Sequence, residues 1–252
     1  MNTTGIDTSA KGVPLPPEDL TLCFGGGDFQ RIGRNLLNRM IEWGGLLPSE
    51  RVLDVGCGCG RAAIPLTRYL SDLGRYEGFD IYPFGVDWCR ENVTPRHSNF
   101  RFQTVDVFNA LYSPFSKVRA SEFVFPFEDR AFDFVLLNSV FTHMLPEDVV
   151  NYVRQIGRVL EQGGRAYLTY FLLNAETRAL LAENRTGITM RHKFGACHLD
   201  NPEDPEEAVG YEDAFALNVL AASGLRVRRI YPGAWSGRKA PNFQDVVIVE
   251  KA

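Results

Sequence analysis

The run Val52-Leu53-Asp54-Val55 passes directly into Gly56-Cys57-Gly58-Cys59-Gly60-Arg61, and this junction limits the fold more than anything else in the chain. An apolar, largely β-branched stretch predicts a strand, and Ala62-Ala63-Ile64-Pro65-Leu66 predicts the start of a helix reaching about Leu73. Strand, tight turn and helix therefore follow one another without a linker. Alternate glycines let the backbone take positive φ and let a ligand come close to the main chain. A dinucleotide fingerprint needs G-x-G-x-x-G, but the sixth position counted from Gly56 is Arg61. Asp54 also places a carboxylate at the strand end, where a pyrophosphate would lie and be repelled. The ligand implied carries an amine or a sulfonium and no phosphate.

The pattern D-x-G-x-G-x-G after an apolar strand resembles the first motif of the class I S-adenosylmethionine-dependent methyltransferases. The resemblance implies an α/β, Rossmann-like fold: a seven-stranded, mostly parallel sheet with an antiparallel last strand and helices on both faces. It implies S-adenosylmethionine as cofactor, held by Asp54, Gly56, Cys57, Gly58 and Gly60. Tyr76-Glu77-Gly78-Phe79-Asp80 predicts a second strand whose terminal acid, followed by Ile81, is placed to accept both hydroxyls of a ribose. Residues 100–107 alternate like a third strand and reach Asp106. In the methyltransferases that this chain resembles, such an acid accepts from the adenine amino group while the next amide, here that of Val107, faces the ring. Asp106 reads equally well as an ordinary turn former.

Further along, Phe132 to Ser139 predicts a central strand buried on both faces. Asn138, Phe141, Thr142 and His143 cluster at its carboxyl end, where open α/β sheets bind their ligands. A helix beginning at Pro146 is expected to run until Gly163-Gly164 stops it, with a fifth strand over Ala166–Phe171. Residues 174–210 break the alternation with an acidic, proline-containing stretch, read either as a solvated loop or as a substrate lid. A helix near Glu212–Ser223 and two last strands, Leu225–Tyr231 and Gln244–Glu250, complete the pattern as a hairpin. At the other end, residues 1–24 are expected to be a flexible segment preceding one methyltransferase domain over 25–252. Phe24-Gly25-Gly26-Gly27-Asp28 is either a hinge or a loop folding over the ligand with Asp28 facing the substrate.

With 252 residues, 45% of them hydrophobic, one substantial core is expected. A net charge of −4 gives no general attraction to nucleic acid, so a small or neutral partner is favoured. Five cysteines without a C-x-x-C pair fit reduced thiols in a cytoplasmic protein. No signal-peptide pattern and no stretch of membrane-spanning length are visible, so a soluble, unexported protein is expected.

Methyl transfer to a hydroxyl needs alignment and removal of one proton. His143 is the base expected, with an orienting, structural or metal-binding role as the alternatives. Asp28, Phe141, Tyr211 and Trp235 are the residues expected at the acceptor, since aromatic faces ringed by carboxylates suit a sugar, although aromatics in such a core usually serve packing. Residues 25–29, 141–146 and Trp235-Ser236-Gly237-Arg238 resemble bacterial small-molecule O-methyltransferases, among them those that modify glycans such as mycobacterial mannosides. Some sugar O-methyltransferases use Mg2+. Asp28, His143 or the acids near Asp200 would be its ligands here, though no spacing demands one. The rival readings are N- or C-methylation of a metabolite or lipid and a catalytically silent S-adenosylmethionine-binding protein; a dinucleotide oxidoreductase is disfavoured by Asp54 and Arg61.

Overall fold

The computed structural model describes residues 12–110, 112–183 and 186–252. The beginning of the segment expected to be flexible, residues 1–11, lies outside the described residues. The chain divides into two compact units, Met1–Val105 and Asp106–Ala252.

In the first unit a short helix, α1 (Glu18–Leu22), already forms within the segment expected to be irregular, and Val13 ahead of it is buried. Helix α2 (Phe29–Glu42) buries Phe29, Leu36, Leu37 and Met40, which recur at helical spacing. Strands β1 (Arg51–Val55), β2 (Arg75–Asp80) and β3 (Phe100–Thr104) pair in parallel, with Asp54 opposite Gly78 and Asp80 opposite Thr104. Between them, helix α3 is confined to Ala63–Leu66, shorter than the helix expected to reach Leu73. Pro65 brings no N–H to the ladder, and the chain continues as separate turns to Leu70. Helix α4 (Pro83–Asn92) begins with its proline in the first turn, where the missing donor costs nothing.

The second unit opens with β4 (Phe132–Leu137), almost entirely buried, and a single 3-10 turn over Phe141–His143. Helix α5 (Pro146–Val159) has Glu147 and Asp148 in its first turn and Arg158 in its last, matching the helix dipole. It ends at Val159 and not at Gly163-Gly164, because Leu160 is drawn straight into β5 (Leu160–Tyr170) opposite Phe132. The glycines are absorbed in an irregularity of that pairing, with Gly163 at φ 73°. The last two strands, β10 (Leu225–Tyr231) and β11 (Asp245–Lys251), form the expected antiparallel pair, and β11 also runs antiparallel to β5. The whole sheet has seven strands in the order β10-β11-β5-β4-β1-β2-β3. Its parallel body and antiparallel end are those expected.

Residues 172–212 differ from the loop or lid expected. β6 (Leu172–Leu173), helix α6 (Ala175–Ala182), β7 (His192–Phe194), β8 (Cys197–Leu199) and β9 (Val209–Glu212) build a second, four-stranded sheet of order β6-β9-β8-β7. Its core joins Leu173, Met190 and Ala208 to Phe171 and Trp235. Helix α7 (Asp213–Ala222) then packs against α5 and β10. A methyl group on Gly157 of α5 would lie 2.5 Å from the Ser223 carbonyl oxygen at the end of α7.

Gly157→Ala should therefore destabilise the protein although alanine is the better helix former by about 1 kcal/mol. Forcing the two helices apart costs roughly 1–3 kcal/mol. A thermal midpoint several degrees below wild type is expected in calorimetry; an increase would show that α5 and α7 yield freely.

Candidate cofactor site and reaction corner

In the first unit the glycine turn is fastened to β2. The amides of Gly56 and Cys57 both donate to the Phe79 carbonyl, at 2.9 and 3.0 Å, and the Gly58 amide donates to Asp80 Oδ2 at 2.8 Å. Asp80 Oδ1 accepts from the Tyr82 amide at 2.9 Å. Burial raises the Asp80 carboxyl above the usual carboxylate range, and the amides of Tyr82, Gly58 and Ile81 oppose that rise. Gly56, Gly58 and Gly60 all take positive φ, at 81°, 53° and 85°. The alternation of glycines is thus a backbone requirement of this turn.

Phe24 lies against this turn. A Cβ at Gly58 would stand 2.9 Å from its ring, and one at Gly85 of α4 would stand 2.8 Å from the Gly58 carbonyl oxygen. The ring meets Tyr82 edge-on at 5.6 Å, and Arg61 donates to the Gly26 carbonyl at 3.0 Å. The loop before α2 therefore does fold onto the turn, but through Phe24. Asp28, expected to face a substrate, instead caps α2: its Oδ1 accepts from the Arg31 amide at 3.0 Å and its Oδ2 from the Arg31 guanidinium. Nothing in the sequence separated Phe24 from a hinge residue except the glycines that follow it.

Asp54 is not the open carboxylate that its place at the strand end suggested. It is 3% exposed, Tyr76 donates a 2.6 Å hydrogen bond to it, and burial pushes its pKa up to about 7, with Asp80 adding in the same direction. Near neutrality it is only partly ionised, so the standing charge expected to turn phosphate away is weaker than anticipated. A cationic ligand would complete its ionisation. The glycine cradle, Asp80 with lone pairs left beyond its backbone donors, and a buried acid that gains from a nearby cation fit a nucleoside bearing a positive charge. Asp106 and Val107 belong to the second unit; β3 already ends at Thr104, and Asp106 is exposed.

In the second unit the corner after β4 is held tightly. Ser139 adopts φ 59°, a left-handed conformation unusual for a side chain with a Cβ. Its amide donates to Thr169 Oγ1 at 2.7 Å, and its hydroxyl donates to Gln244 Oε1 at 3.0 Å. Gln244 in turn donates to Thr142 Oγ1 at 3.2 Å. Ser139, Thr142, Thr169 and Gln244 thus fix residues 138–143, a network with no sequence signature. Asn138 is half-buried beside Ser139. His143 is exposed, with Nδ1 at 2.9 Å from the Glu206 carbonyl oxygen. A carbonyl only accepts, so Nδ1 carries a proton, and in the neutral ring Nε2 is then the acceptor.

Three residues expected at the acceptor are enclosed. Phe141 is 0% exposed and packs on Tyr170 at 4.8 Å; Tyr211 is 0% exposed with its hydroxyl on the Met144 carbonyl; Trp235 is 0% exposed with Nε1 donating to Asp245 Oδ2 at 2.7 Å. Their faces serve packing and offer no platform. Asp200 is also committed, its Oδ1 accepting from Thr189 and Met190. No group of three or more His, Cys, Asp or Glu is placed to hold a metal among the described residues. No helix among them is long and apolar enough to cross a membrane.

Comparison with known proteins agrees with this geometry. Residues 53–168 match the family model described as a methyltransferase domain. The chain is 39% identical over 67 residues to the 23S rRNA (uracil(1939)-C(5))-methyltransferase RlmD of Photobacterium profundum, covering 25% of this chain and 14% of that protein. It is 32% identical over 155 residues to a probable phthiotriol/phenolphthiotriol dimycocerosates methyltransferase 2 of Mycobacterium ulcerans, covering 62% of this chain and 51% of that protein. The chain thus spans about half or less of the length of these relatives. A Burkholderia thailandensis 1,6-didemethyltoxoflavin-N1-methyltransferase, solved with S-adenosylhomocysteine, superposes with a TM-score of 0.57 at 16% identity over 95% of this chain and 92% of that one. The fold is that of the class I, S-adenosylmethionine-dependent methyltransferases. The stretch that matches the methyltransferase-domain model, residues 53–168, runs from β1 into β5.

The position of Asp54 has a consequence for pH. Its folded pKa is raised, so between pH 4 and 7 the folded protein holds a proton that the unfolded chain has lost, and stability falls as pH rises through that window. The contribution is on the order of a few kcal/mol. Urea titrations across this range should show a steeper loss for wild type than for Asp54→Asn. S-adenosylmethionine affinity, measured by calorimetry, should fall below pH 7 in wild type and be weak and flat in the variant; parallel curves would contradict the assignment.

Proposed function

We propose that the protein is an S-adenosylmethionine-dependent O-methyltransferase acting on a hydroxylated small molecule, with His143 as general base. The observation that carries this reading is the tautomer of His143. With Nδ1–H given to the Glu206 carbonyl, the ring is oriented and Nε2 is left as an exposed acceptor for a hydroxyl proton. The anchoring of Thr142 by Gln244 supports the same role, since a base must be held while the acceptor oxygen is aligned. Bound S-adenosylmethionine supplies an electrophilic methyl group. In this reading the first unit binds it through the glycine turn, Asp54 and Asp80, and Asp106, Val107 and Asn138 are cofactor-binding candidates on the resemblance alone. The negative net charge favours a small acceptor, and a polyhydroxylated one such as a sugar is the class adopted here. The relatives include enzymes named for 23S rRNA and for phthiotriol/phenolphthiotriol dimycocerosates.

Radiolabelled S-adenosylmethionine with panels of hydroxylated acceptors, run with and without chelator, tests the activity directly. His143→Ala should lower turnover by roughly 10²–10⁴-fold while S-adenosylhomocysteine still binds as in wild type. A variant that kept nearly full turnover would point to a nitrogen or carbon acceptor, which needs no strong base.

A further inference from the structure

Six buried side-chain polar atoms among the described residues have no hydrogen-bond partner, and four of them lie between residues 236 and 242: Ser236 Oγ, Arg238 Nε, Arg238 Nη2 and Asn242 Oδ1. Such clustering in the connector of β10 and β11 is unlike a fold that satisfies its buried polar groups. The two arginine atoms matter most. Nε–H and Nη2–H are parallel donors on one edge of the guanidinium, the edge that receives both oxygens of a planar anion. The other terminal nitrogen, Nη1, is engaged separately, 3.5 Å from Glu176 Oε2. The Arg238 side chain is only 14% exposed, whereas Glu176 is 68% exposed, so that pair does little to offset the cost of burying the cation.

Among the described residues nothing hydrogen-bonds to that edge. Burial raises the Asp245 carboxyl above the usual carboxylate range, and the charge of Arg238 is near enough to oppose that rise. Its oxygens are already taken by the Gly233 amide at 2.7 Å, the Leu172 amide at 2.8 Å and Trp235 Nε1 at 2.7 Å. These bonds fix the start of the connector, while Gly237 at φ 96° stands immediately before Arg238. The far end of the connector, Gln244, holds Thr142 beside His143. The orphaned fork thus lies on the same connector as the side chain that anchors Thr142.

We infer that the side-on edge of Arg238 receives a carboxylate of the methyl acceptor, so that the acceptor is a hydroxy acid, such as a sugar acid, and not a neutral glycan. The inference rests on the O-methyltransferase reading above and narrows its acceptor. A monoanion is favoured over a phosphate dianion because one arginine here is accompanied by two acids, Glu176 and Asp245. The donor atoms are sealed in the described conformation. Entry of the carboxylate therefore requires the connector to open about its glycines.

Binding can be tested apart from methyl transfer. Full-length protein saturated with S-adenosylhomocysteine would be titrated calorimetrically with D-glucuronate against methyl glucoside, D-glycerate against glycerol, and glucose 6-phosphate. Each carboxylate should bind at least tenfold more tightly than its neutral counterpart and more tightly than the phosphate. Arg238→Gln should abolish the preference, Arg238→Lys should lose most of it because lysine has no fork, and Glu176→Gln should increase affinity several-fold. Thermal midpoints and S-adenosylhomocysteine binding report folding; if Arg238→Gln does not fold, the lysine variant and the wild-type pairs decide. Equal affinity for charged and neutral probes, a phosphate bound as tightly as a carboxylate, or an unaffected Arg238→Lys would overturn the inference. Parallel methylation assays separate the two readings. A carboxylate that binds through Arg238 while no hydroxyl is ever methylated overturns the O-methyltransferase reading and sustains the site; methylation of neutral sugars alone does the reverse.

Discussion

Asp80 ties the end of β2 to the glycine turn that leaves β1, and the first unit depends on that tie. One carboxylate oxygen receives the Gly58 amide while the other receives the Tyr82 amide, so a single side chain sets both the turn and the entry into α4. The turn can be this tight only because three of its residues accept left-handed backbone angles. It can lie this near β2 only because Gly78 carries no side chain: a Cβ there would fall 2.9 Å from that of Cys57. Charge, backbone freedom and close approach are therefore one constraint expressed at three positions.

Much of this was legible because period-two burial and glycine placement are local properties of the chain. The strands β1, β2, β4 and the final pair could be read from their apolar runs, and the turn from its glycines. Asp54 was legible as an acid at the end of a strand but not as a buried one, since its burial and the Tyr76 hydroxyl depend on the pairing of β1 with β2. Likewise the enclosure of Trp235 and Tyr211 is tertiary. Aromatic residues far apart in sequence carry no sign of whether a ring will face a ligand or a neighbour.

The small second sheet escaped the sequence for a different reason. β7 has three residues, all exposed, and β8 has three, so neither gives an alternation long enough to recognise. What holds this region is side-chain chemistry across elements. His198 sits with Nε2 at 3.1 Å from Glu212 and Nδ1 at 3.2 Å from the Met190 carbonyl, and Glu212 also pairs with Arg178. The backbone of the same insertion reaches His143 through the Glu206 carbonyl, which ties the insertion to the corner after β4.

A buried acid that waits for a positive ligand links the stability of this protein to its occupancy. Whatever ionisation costs the empty fold is returned when a cationic nucleoside arrives, and occupancy adds RT ln(1 + [L]/Kd) to stability. The fold is then most stable with that ligand bound and least stable without it.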